Sequence, residues 1–111
     1  MRVTVVVNLR VEGFHRWPDA AKYSEEVKFL ADEHRHMFHI KAAKEVSHLN
    51  RDIEIILFKR QITDYLIDEF GTPCKFDSMS CEEIAKTLVV EYNLEYCEVL
   101  EDGENGSCVT K

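Results

Sequence analysis

Residues 2–12 alternate between apolar and polar positions. Val3, Val5, Val7, Leu9 and Val11 fall on one side, and Arg2, Thr4, Asn8, Arg10 and Glu12 on the other, with Val6 the exception. Successive side chains of a strand point to opposite faces, so this period of two predicts a half-buried β-strand. Gly13 interrupts the pattern, and Pro18 ends regular structure. Residues 18–32 are polar and acidic with Tyr23, Val27, Phe29 and Leu30 interspersed, which predicts a long functional loop with one helical turn. Alternation returns over 34–47. His34, His36, Phe38, Ile40, Ala42 and Val46 share one face, and Arg35, His39, Lys41, Glu45 and Ser47 share the other, a second long strand. His48 to Arg51 reads as a bend, and Ile53 to Leu57 as extended chain.

The period then changes. Ile62, Tyr65, Leu66 and Phe70 recur at helical spacing over 59–70, and Gly71 stands where a left-handed C-terminal cap belongs. Ser80-Cys81-Glu82-Glu83 has capping-box spacing, and Ile84, Leu88, Val89 and Tyr92 form the buried stripe of a second helix. Cys97, Val99 and Glu101 fall on one face of a third strand. Asp102 to Gly106 is rich in turn formers, and Ser107 to Thr110 is β-compatible. The predicted order is β-β-α-α-β-β. It describes an α+β fold, an antiparallel four-stranded sheet with two helices on one face, as a single domain over residues 1–111.

Composition narrows the function. Among 111 residues, 14 basic side chains face 21 acidic ones, a net charge of −7. That balance argues against a nucleic-acid polymer as partner, which requires a basic footprint. It leaves a small ring-shaped ligand open. No apolar run approaches a membrane span, and the alternating N-terminus does not resemble a signal peptide, so the expectation is a cytoplasmic protein with no membrane partner. Cys74, Cys81, Cys97 and Cys108 match no zinc-ribbon spacing and read as free thiols.

The five histidines carry the candidate chemistry. His34 and His36 project from one strand face, about 6.5 Å apart at the usual rise. If the first strand keeps its phase through Gly13, His15 emerges on the buried face beside them. Three neutral imidazoles with one open position is the donor set of a catalytic zinc. An isolated H-x-H also describes two polar residues at a sheet edge, and the third histidine in register is what favours the metal. His39 and His48 read as ordinary surface residues.

Short motifs add a resemblance. Glu12-Gly13-Phe14-His15-Arg16-Trp17-Pro18 resembles the AAHRLP segment of the 6-pyruvoyltetrahydropterin synthase and 6-carboxytetrahydropterin synthase family. His34-Arg35-His36-Met37-Phe38 resembles that family's H-G-H-x-Y/F. Ser80 to Ala85 resembles its P-T-x-E-N-L-A helix start, and Val99-Leu100-Glu101-Asp102 its V-x-E-T strand end. The resemblance spans most of the chain and implies a tunnelling fold (T-fold). It implies zinc held by His15, His34 and His36, and Glu101 gripping the edge of a pterin or purine ring. It also implies a homo-oligomer, a trimer or dimer of trimers, with sites between subunits.

Two departures modify that implication. The family's catalytic Cys stands four residues before the first His of H-x-H, where this chain has Leu30. The family's L-D-H segment is absent from Phe70 to Asp77. General acid–base groups contribute about 10²–10⁴-fold each, so the usual reaction is impaired. Asp32 and Glu33, just before His34, are the candidate catalytic replacements. Two functions follow. One is a zinc-dependent lyase-type enzyme acting on a pterin-like or deazaguanine-precursor substrate. The alternative is a non-catalytic binder, such as a viral protein, that sequesters a purine-like nucleotide or signalling molecule. A purely structural ion is a third reading, opposed by the lack of a fourth protein ligand.

Overall fold

A computed structural model describes all 111 residues. The α+β class holds, but the sheet has five strands rather than four, and it is mixed. Strand β1 (Val3–His15) pairs antiparallel with β2 (His34–Val46), and β2 with β4 (Tyr96–Glu101). Strand β4 pairs antiparallel with β5 (Asn105–Thr110), while the four-residue β3 (Cys74–Asp77) runs parallel to β1. The spatial order is β3-β1-β2-β4-β5. The added strand lies between the two main helices in sequence. Cys74 and Phe76 are buried and Lys75 and Asp77 exposed, so β3 does alternate, but over only four residues.

The first strand does not stop at Gly13. It continues to His15, and Gly13 pairs with His36 across the ladder. A Cβ at Gly13 would lie 2.8 Å from Phe76 Cε2 and 3.0 Å from Phe38 Cε2. The glycine therefore admits two aromatic rings to the sheet surface while the strand runs on.

Two helical segments were expected differently. The stretch expected as a loop is mostly helical, with a short α1 (Ala20–Tyr23) and a 3₁₀ helix over Glu25–Ala31. Ser24 starts the latter by accepting the Glu26 N–H on its hydroxyl. Helix α2 (Ile55–Phe70) begins inside the segment expected to be extended. Glu54 accounts for this, because its carboxylate accepts the N–H groups of Ile56 and Leu57 and satisfies donors that a helix start leaves open. Gly71 ends α2 at φ +94°, ψ −177°, a positive-φ cap that is extended rather than left-handed helical. Helix α3 (Cys81–Tyr92) has the expected capping box, with Ser80 and Glu83 each bonded to the other's backbone N–H.

The core is one cluster of 18 buried residues. Val7, Leu9 and Val11 of β1, Phe38, Ile40 and Ala42 of β2, and Cys97 and Val99 of β4 supply the sheet side. Phe58, Ile62 and Leu66 of α2 and Ile84, Ala85 and Leu88 of α3 pack onto it. The burial of these side chains is what orients the strands: the same inward parity carries on to His15, His36 and Glu101 at one end. No helix is long and apolar enough to cross a membrane.

Candidate metal centre

Register brings the histidines together. His15 is paired directly with His34 across β1 and β2, and His36 lies opposite Gly13 on the same inward face. The ring centroids are 4.6 Å apart for His15–His34, 5.0 Å for His34–His36 and 5.4 Å for His15–His36. Strand β4 brings Glu101 opposite Phe38, one inward step from His36. One donor atom from each of His15, His34, His36 and Glu101 lies within 4.8 Å of every other.

The outer nitrogens fix the tautomers. Nδ1 of His15 is 2.9 Å from the Met79 carbonyl, and Nδ1 of His34 is 2.8 Å from the Asp32 carbonyl. A carbonyl oxygen only accepts, so each Nδ1 carries the proton and each Nε2 is left with a lone pair. His36 Nδ1 is 2.7 Å from Asp102 Oδ2. The Asp102 carboxyl is held below its ordinary range, first by the Met37 N–H and then by His36, so it too accepts.

Two of the inner nitrogens are unpartnered. Nε2 of His15 and of His36 are buried without a hydrogen bond. Glu101 Oε2 nevertheless sits 2.9 Å from His15 Nε2, and Oε1 sits 3.6 Å from His36 Nε2. A lone pair and a carboxylate oxygen at that distance repel unless a positive charge lies between them. Desolvation lowers the His15 pKa, against the opposing pull of the Met79 bond and Glu101. Orphaned nitrogens, oriented outer shells and a facing carboxylate together form a group able to hold a metal ion.

A cavity of about 480 Å³ adjoins the group. His15, His34 and Glu101 line it together with Trp17, Leu30 and Cys81. Leu30, at the position where the resemblance would place a thiol, is thus an apolar wall. A different thiol enters from the first turn of α3: Cys81 is 6% exposed and faces Glu101. Burial, reinforced by the Glu101 charge, pushes this thiol up to about 12, so it is neutral at ordinary pH and a poor base.

The proposed catalytic carboxylates lie outside the donor group. Asp32 and Glu33 are both exposed, and Asp32 takes part through its main-chain oxygen. His39 and His48 are also outside it. His39 points to the opposite face beside Gly103, and His48 pairs weakly with Asp52 at 3.7 Å. Sequence reasoning missed three contributors: Met79, Cys81 and Asp102. The first acts through a backbone oxygen, which no side-chain pattern reveals. The other two sit in a capping box and a turn motif, whose local roles masked them. All four cysteines are free, with only Cys108 exposed. Neither the known protein-family models nor the curated proteins include a match to this chain.

Proposed function

We propose that the protein binds zinc at His15, His34 and His36, with a fourth position open to the adjoining cavity, and takes a pterin- or purine-like ring there, gripped by Glu101. The observation that carries this reading is the convergence of imidazole nitrogens whose opposite nitrogens are all held by oxygens. Three neutral nitrogens suit zinc better than magnesium or calcium. When bound, zinc supplies a Lewis acid at the wall of the cavity. The chain's own residues orient the imidazole rings, line the cavity with Trp17 and Leu30, and present Glu101 at its edge.

Between an altered lyase-type enzyme and a non-catalytic binder, the local chemistry favours the binder. Leu30 offers no proton-transfer group, Cys81 is neutral, and Asp32 and Glu33 are exposed beside the site. A lyase of this type would need one of those carboxylates to move inward. The T-fold and a homo-oligomeric assembly belong to this same reading and rest on the sequence resemblance.

The test is metal analysis of the full chain purified without chelator, followed by thermal melts with added zinc. About one zinc per chain is expected. Zinc at a hundred times its Kd should stabilise the fold by about 2.7 kcal/mol. No zinc together with an unchanged melting temperature sinks the reading. Glu101→Gln separates the two roles of that residue. Zinc affinity equal to wild type with ring binding lost supports the gripping role, whereas weakened zinc binding would make Glu101 a fourth donor and the ion a closed, structural one.

A further inference from the structure

We propose that Asp102 is a positioning residue for the metal site, setting His36 in the tautomer and orientation that present Nε2 to the ion. This rests on the zinc reading above. Its basis is the asymmetry among the three outer shells. His15 and His34 are oriented by main-chain carbonyls, of Met79 and Asp32. Only His36 is oriented by a side chain, and that side chain is a carboxylate. It is therefore the one point where the sequence, rather than the backbone, governs a ring.

The carboxylate is itself held in place. Asp102 Oδ1 accepts the Met37 N–H at 3.0 Å, and the Asp102 N–H donates to the Met37 carbonyl at 2.8 Å. The residue adopts φ +56° at the mouth of the β4–β5 turn, which swings its side chain back over β2. Oδ1 is thereby committed to Met37 and Oδ2 to His36. A carboxylate in this place keeps the proton on Nδ1, leaves the lone pair on Nε2 and strengthens the ring as a ligand.

Asp102→Asn tests this with little change of shape. Its amide oxygen still accepts the Met37 N–H, which turns the amide NH₂ towards His36 Nδ1. A donor there favours the opposite tautomer, with the proton on Nε2 and the ligand lone pair lost. The expected result is a zinc affinity about 10–100-fold weaker, read by competition with a chromophoric chelator. Nitrogen NMR of the imidazoles in zinc-free protein should show His36 switching from the Nδ1–H to the Nε2–H form. A purely structural role for Asp102 would change the melting temperature and leave the tautomer alone. A folded variant with wild-type zinc affinity and an unswitched His36 overturns the proposal. If the variant does not fold, the tautomer in zinc-free wild type decides: Nδ1–H supports the proposal and Nε2–H overturns it. Wild type that binds no zinc sinks the zinc reading instead, a result separate from the tautomer.

Discussion

Phe38 and His36 project from the same face of the same strand, two residues apart, into two different kinds of surroundings. Phe38 is wholly buried, edge-on to Phe76 at 5.0 Å and to the rings of His15 and His36 at 5.2 and 5.7 Å. It needs only that water be excluded, and α2 and α3 do this for the middle of the sheet. His36 needs a specified oxygen at one nitrogen and leaves the other open. The apolar region is held by many weak contacts, none of which is individually decisive. The histidine end is held by a few directional ones, each traceable to a named atom. The same strand parity therefore produces a core at one end and a candidate site at the other.

The sharpest way to break this contrast is to truncate both residues. Phe38→Ala removes a fully buried aromatic ring and should cost about 3–5 kcal/mol in urea unfolding. His36→Ala should abolish zinc binding with a much smaller loss of zinc-free stability. Similar losses of stability in the two variants would mean that the histidine end is simply more core. Gly13→Ala acts on the boundary between the regions. Its Cβ would meet the Phe76 and Phe38 rings at 3.0 Å or less, an overpacking that typically costs about 1–3 kcal/mol. Because the same stretch of β1 carries His15, zinc affinity should fall with the melting temperature. A loss of stability with zinc affinity intact would show the two regions to be mechanically independent.

The smallest effect lies far from the site. The Ile56 and then the Leu57 N–H groups lower the Glu54 pKa from its ordinary 4.5. A folded-state pKa below the unfolded one stabilises above the unfolded value, and that gain is lost as pH falls through the folded value. Glu54→Ala should therefore lower the melting temperature at neutral pH. The gap to wild type should close as pH drops below about 4.5, with zinc binding at neutral pH equal to wild type. A gap that stays constant down to acid pH would show that the carboxylate charge contributes nothing to the cap.

What the sequence conveyed follows this division. The long alternations of β1 and β2 and the Ser80 capping box were readable because each repeats a physical period or a local hydrogen-bond pattern. The inward parity of His15, His34, His36 and Glu101 came with them. Strand β3 was not readable, since four residues beside Gly71 and Pro73 carry too short a period, and its pairing to β1 is tertiary. The start of α2 was misread for a related reason. Ile55, Ile56 and Leu57 are all more than half exposed, so their apolar run reflects no buried face. The role of Asp102 was hidden because a turn former and a histidine anchor are the same residue type.

The outer-shell bonds span very different lengths of chain. His34 is set by a residue two positions away, whereas His15 and His36 wait for partners 64 and 66 positions along. Those partners arrive only when the loop after β3 and the β4–β5 hairpin have both closed onto the first two strands. Closing contacts of such long range costs more chain entropy than closing the two-residue one. A partly folded chain would then display His34 correctly and the other two rings at random. An ion that requires all three would bind only the finished molecule, so its capture would mark the completion of folding as well as the opening of function.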